Sequence, residues 1–255
     1  MTVVCAVGTT HPLAFAGLEF ALLALAADAV RPVCVVAGVS AQSAQRVLVR
    51  TPLDAATIGA QFEALREAGV GAFHVGALLS ADAVRAVAAG LALYPDVPVV
   101  LDPVLAASGG DPLADDATRR ALRDALLPRA TLVTPNLGEA GALLERELAD
   151  VAAMEDAGRA LIGLGAHAAL VKGGHLGGDP VDVLVEAESG RVRMLVSPRI
   201  GAELRGTGDL LAATIAACLA NGAPLGEAVE RARRRVREAI VRGVPFAGAR
   251  VALLQ

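Results

Sequence analysis

The chain has 255 residues, enough for a large core; 55% are hydrophobic but only 2% aromatic, so that core must be built from Ala, Val and Leu. A formal net charge of -4 offers no basic surface for nucleic acid, and the arginines of "ERARRRVREAIVRG" are interleaved with Glu230 and Glu238 as on a solvated helix face. Cys5, Cys34 and Cys218 lie far apart in apolar surroundings without metal-ligand spacing, as expected of buried thiols in a reduced, cytoplasmic protein.

No Lys or Arg precedes Arg31, so the N-terminus lacks the charged start of a signal peptide. The apolar stretch Ala14–Val30 carries Glu19 and Asp28 and is short for a membrane span, which predicts a buried helix. In chain order, "TVVCAVG" is a predicted strand, Ala14–Ala27 a helix, and "RPVCVVAGVSAQ" a second strand; "QRVLVRTP" is an extended piece stopped by Pro52. Asp54 caps a helix running to about Glu67, "GAFHVGAL" is a strand, and Ser80 caps a helix through Leu91. "PVVLDPVL" and "TLVTPN" are strands, Asn136 opens a short helix, Met154–Gly163 is helical, and "AALVKGG" is a strand. "DVLVEAESGRVRMLVS" is a hairpin turning at Ser189 and Gly190, and two helices follow, Thr207–Asn221 and Leu225–Arg242. This alternation predicts an α/β fold with a central, mostly parallel sheet, helices on both faces and antiparallel edge strands. No linker, low-complexity segment or repeat interrupts it, which predicts one domain over residues 1–255.

In such sheets, ligands bind beyond the carboxyl ends of the strands. Gln42, Asp102, Asn136 and Lys172 follow predicted strands, and Gly206-Thr207-Gly208-Asp209 leads into a predicted helix. A helix N-terminus presents free N–H groups, and glycines let them approach an anion closely. Asp209 beside that cradle suits a general base; taken alone, it equally suits N-terminal capping of its own helix. Asn136 and Glu139 share one helix face and can hold Mg²⁺ through water, or are an N-cap and an exposed glutamate. Lys172, with Gly173 beside it, can hold nucleotide phosphates, or is an ordinary strand-end lysine. Asp102 and Glu139 are the carboxylates expected on the metal. Base, cradle and metal are the parts that phosphoryl transfer to an alcohol requires.

"VVLDPVLAASGGDPL", "ATLVTPNLGEAGALL", "AALVKGGHLGG" and "RGTGDLLAATIAACLANGAPLGEAVERA" occur in this order. Together they resemble the ribokinase-like superfamily, and within it the hydroxymethylpyrimidine/phosphomethylpyrimidine kinases of thiamine biosynthesis, with pyridoxal kinases as near relatives. The resemblance is strong from about Pro98 to Ile240 and weaker before. It implies ATP and Mg²⁺ as cofactors, often a homodimer, and phosphorylation of 4-amino-5-hydroxymethyl-2-methylpyrimidine and/or its monophosphate. A pyridoxal or pyridoxine kinase is the alternative, and a non-catalytic nucleotide- or ligand-binding relative is a third reading. By match to the family, Gly8, Gln42, Gly76, Ala77 and Val104 are expected at the substrate.

The departures concern the substrate side. The N-terminal loop reads "AVGTTHPLAFAGLEFAL" where the family has a sequence like "AGSDPSGGAGIQAD". Glu19 stands for its Gln, and its pyrimidine-contacting Asp falls near Ala21, so this loop is expected to set specificity, with His11 a candidate contact. His74 is expected to be a strand-packed imidazole, and Phe15, Phe20 and Phe73 are core residues or walls of the ring site. Arg205 and Asp209 occupy places where the pyrimidine kinases commonly have His and Cys, and the Gly-His-Gly-His-Gly tail is absent. The field of the helix N-terminus is expected to keep Asp209 ionised.

Overall fold

The computed structural model describes residues 1–174 and 177–254; His175 and Leu176, in the Lys172 segment, and Gln255 lie outside the described residues. Among the described residues a nine-stranded sheet is formed by β1 (Val3–Thr10), β2 (Arg31–Gln42), β3 (Val47–Pro52), β4 (Val70–Val75), β5 (Val99–Leu101), β6 (Leu132–Val133), β7 (Ala168–Lys172), β8 (Val181–Glu186) and β9 (Val192–Val196). The order is β3-β2-β1-β4-β5-β6-β7-β8-β9, parallel from β2 to β7 and antiparallel at both edges. The "DVLVEAESGRVRMLVS" hairpin supplies β8 and β9 as expected, while the extended piece at 47–52 is a second antiparallel edge.

Side chains alternate across the sheet. Cys5 and Val7 enter one apolar cluster and Val4 and Ala6 the other, which is the period-two arrangement of a strand covered on both faces. One face is covered by α2 (Ala55–Ala64), α3 (Ala81–Leu91), α4 (Asp116–Ala121), α5 (Leu137–Leu144) and α6 (Ala152–Gly163). The other is covered by α1 (Gly17–Ala27), α7 (Thr207–Ala220) and α8 (Leu225–Arg242). Asp54 and Ser80 cap α2 and α3 through side-chain oxygens that accept from Thr57 N and Ala83 N. α7 is buried all round from Asp209 to Cys218; Ala212, Ala213, Ala216 and Ala217 let it lie close to the sheet and to α1.

Two elements escape the sequence analysis. Asp115 caps α4, whose helical turns continue to Arg129, and β10 (Val244–Phe246) pairs with β11 (Ala249–Val251) in a C-terminal hairpin. Among the described residues no helix is long and apolar enough to cross a membrane, and Cys5, Cys34 and Cys218 are free thiols.

The chain leaves β1 for β2 and β3 on one side and returns to β4 on the other. The loops after β1 and β4 therefore diverge, opening a crevice at the carboxyl edge of the sheet.

Candidate active site

The Gly-Thr-Gly-Asp turn stands over this edge. Gly206 is the N-cap of α7 with a φ of 76°, a left-handed conformation that glycine adopts freely, and an added Cβ would lie 2.5 Å from Phe15 O. Asp209 does not cap its own helix. Its Oδ2 accepts from Gly17 N at 3.0 Å, so the carboxylate ties the start of α7 to the start of α1. The capping alternative thus gives way to a tertiary contact between two helix N-termini.

The expected ionisation of Asp209 is also corrected. Burial raises its pKa from 3.8 to about 7, and the Asp102 charge adds to this; the Gly17 N–H and Lys172 oppose the shift but do not cancel it. Gly76 leaves room beside the carboxylate, since a Cβ there would lie 3.6 Å from Asp209 Oδ1. His74 lies behind Gly76, buried, with neither ring nitrogen hydrogen-bonded among the described residues; burial drives its pKa down to about 4, so the imidazole is neutral.

Next to Asp209 the strand ends bring three more charges together. Asp102, 2% exposed, follows β5 and accepts at Oδ1 from Lys172 Nζ at 2.9 Å and Thr134 Oγ1 at 3.1 Å. Burial works against the Lys172 ammonium, but Asp102 and Glu139 outweigh it and its pKa is raised. Gly208 faces this pair: an added Cβ would lie 2.8 Å from Asp102 Oδ2 and 3.4 Å from Lys172 Nζ. Asn136 and Glu139 form a capping box on α5, with Asn136 N donating to Glu139 Oε2 at 2.8 Å and Glu139 N to Asn136 Oδ1 at 2.9 Å. The glutamate is half-buried, and burial pushes its pKa to about 7 against the pull of Lys172. Gly173 presents no free donor: its N–H goes to Asp182 Oδ1 at 3.2 Å, and a Cβ would strike Val181 O. Among the described residues no group of three or more His, Cys, Asp or Glu side chains converges as a metal site, so Asp102 and Glu139 are two neighbouring carboxylates rather than a closed cage.

On the other side of Asp209 lies a cleft lined in part by Thr9, His11, Phe15, Gln42, Ala77 and Val104. Of the residues expected at the substrate, Gln42, Ala77 and Val104 line this cleft. Among the described residues Gln42 Oε1 is buried without a hydrogen-bond partner. Gly8 does not reach the cleft; Thr9 does, its hydroxyl donating to Ala77 O at 2.8 Å. His11 lines the wall but is already engaged: Nε2 bonds Ala16 O at 2.7 Å, Leu13 N donates to Nδ1, and its backbone N–H donates to Glu19 Oε2. Phe15 alone of the three phenylalanines borders the cleft; Phe20 and Phe73 belong to the two apolar clusters. Ala21 is fully buried in the cluster under α7, so a carboxylate placed there would enter the core rather than touch a substrate.

Residues 12–252 match the family described as phosphomethylpyrimidine kinase. The chain belongs to this family. The hydroxymethylpyrimidine/phosphomethylpyrimidine kinase of Streptomyces coelicolor is 35% identical over 91% of this chain and 86% of its own length. Its counterpart in Rhizobium meliloti is 36% identical over 88% and 85%. A thiamine biosynthesis bifunctional protein of Geobacter sulfurreducens is 44% identical over 65% of this chain, and the match spans 34% of that longer protein. Among solved structures, an ADP complex of Bacillus subtilis pyridoxal kinase superposes with a TM-score of 0.91 at 27% identity, covering 100% of this chain and 97% of that one. Phosphomethylpyrimidine kinase from Clostridium difficile 630 gives 0.83 at 25% identity, covering 94% and 100%. The ribokinase-like architecture is therefore that of the family, and Gly206–Asp209, Lys172 and the Gln42 cleft lie on one carboxyl edge of its sheet.

Proposed function

We propose that this chain is an ATP-dependent kinase of thiamine biosynthesis that phosphorylates the hydroxymethyl group of 4-amino-5-hydroxymethyl-2-methylpyrimidine and then the monophosphate so formed. The observation that carries the proposal is the position of Asp209, the one carboxylate among the described residues lining the acceptor cleft, at the N-terminus of α7.

A carboxyl group with a pKa near 7 is well matched to accept an alcohol proton at neutral pH. The N–H groups at the start of α7 stabilise charge on the transferred phosphoryl oxygens, and Gly208 leaves them open toward Lys172. Lys172, held by Asp102, supplies fixed positive charge to the nucleotide phosphates. Asp102 and Glu139 both act on the Lys172 ammonium, and two carboxylates beside one cation leave negative charge that a divalent cation can offset. Mg²⁺, when bound, offsets phosphate charge; Glu139 would hold it through water, as Mg²⁺ sites commonly do. Exposed Val39, Leu48 and Val49 on the β2–β3 edge support a homodimer, which light scattering checks.

A pyridoxal kinase remains the second reading, favoured by the aspartate at position 209 and by the close fit to the Bacillus subtilis enzyme. An ATP-consumption assay with the pyrimidine alcohol, its monophosphate, pyridoxal and pyridoxine side by side decides between them. Turnover of the pyridines alone would overturn the proposal.

A further inference from the structure

Arg205 immediately precedes the Gly206 turn and lines the acceptor cleft together with Asp209. It is the one Lys or Arg among the described residues lining that cleft. Its backbone N–H donates to Arg250 O at 3.0 Å, pinning it to β11, and Nη2 donates to Ala44 O at 3.0 Å in the β2–β3 connection. No carboxylate pairs with it among the described residues, so a half-buried guanidinium enters the cleft with one of its five N–H donors engaged. A fixed, uncompensated guanidinium matches the charge and forked geometry of a phosphate.

We propose that Arg205 is the residue that holds the phosphate of a phosphomonoester acceptor, and so sets the preference for monophosphate over free alcohol. This rests on the kinase reading above. In the second step, an oxygen of the acceptor phosphate attacks the γ-phosphorus of ATP. The bond from that phosphorus to the β–γ bridging oxygen breaks with its electron pair, and ADP departs with the bridging oxygen. The product is a diphosphate ester. A phosphomonoester has a second pKa near 6 and is largely a dianion above pH 7, so its attacking oxygen carries no proton. The alcohol step differs: its hydroxyl must lose a proton, and Asp209 receives it. Arg205 thus serves the step in which Asp209 is least needed.

The test compares Arg205→Met and Arg205→Lys with the wild-type chain at pH 8. Two measurements are made: kcat/KM for 4-amino-5-hydroxymethyl-2-methylpyrimidine and for its monophosphate, and calorimetric titration of both compounds into nucleotide-free protein. Arg205→Met is expected to lower monophosphate kcat/KM and affinity at least about tenfold more than those of the alcohol. Arg205→Lys is expected to recover part of that difference, since it keeps the charge without the fork. A residue that merely braces the Ala44 loop would move both acceptors equally, and that result overturns the inference. Wild-type turnover of the alcohol without the monophosphate overturns it while leaving the kinase reading intact. Turnover of neither brings down the kinase reading, and the inference with it.

Discussion

Replacing Asp209 by Asn removes a buried charge and keeps the side-chain volume. An acid with a pKa of about 7 in the folded chain against 3.8 as a free carboxyl binds its proton more tightly in the fold. The stabilisation this gives is fully present below the unfolded value and is lost as pH rises through about 7. The loss amounts to about 1.36 kcal/mol per pH unit, or about 2–3 kcal/mol between pH 5 and pH 8. The amide of the Asp209→Asn variant has no such titration, and its oxygen can still accept from Gly17 N. Melting wild type and Asp209→Asn in EDTA without nucleotide isolates the effect, because Glu139 and the other groups titrate in both. The variant's Tm advantage should widen by about 5–10 °C from pH 5 to pH 8, at about 2–4 °C per kcal/mol for a chain of this size. Over the same range kcat for the alcohol should fall about 10²- to 10⁴-fold, and the rising limb of its pH profile near 7 should vanish. A Tm difference that stays constant with pH would refute the burial argument, and an unaltered kcat would remove Asp209 from the chemistry.

Lys172→Met leaves Asp102 buried and unpaired and should destabilise the chain by about 3–5 kcal/mol in urea titrations, with Asp102→Asn in the same chain restoring much of it; a cost near zero would mean the pair is not buried. Gly208→Ala puts a methyl 2.8 Å from Asp102 Oδ2 and should weaken ATP binding measured by calorimetry, whereas Gly59→Ala, with nothing within 4 Å, should raise stability by about 0.4–1 kcal/mol. Gln42→Leu removes a buried oxygen that has no partner in the free protein, so stability should hold or rise while KM for the acceptor increases; an unchanged KM would show that no substrate donor reaches it.

Local rules carried much of the fold into the sequence. The β2 strand at 31–42, the caps at Asp54 and Ser80, and the helix at 225–242 follow from period, capping chemistry and flanking Gly or Pro, all set by neighbours in the chain. The segment at 116–129 was missed although Asp115 offers a cap, because its turns pass from α4 through a wider and then a tighter helical turn before Arg129. The C-terminal hairpin was missed too, because its strands are three residues each. At the site, the left-handed Gly206 turn at the start of α7 was legible from its glycines and the helix pattern that follows. What Asp209 does depended on residues far away in sequence: Gly17, which takes its oxygen, and Asp102, whose charge helps hold its proton. Gly173 and Ala21 matched a pattern yet face β8 and the core, since a motif fixes residue type but packing fixes direction. Burial and long-range charge are properties of the assembled sheet and helices, and no window of sequence contains them.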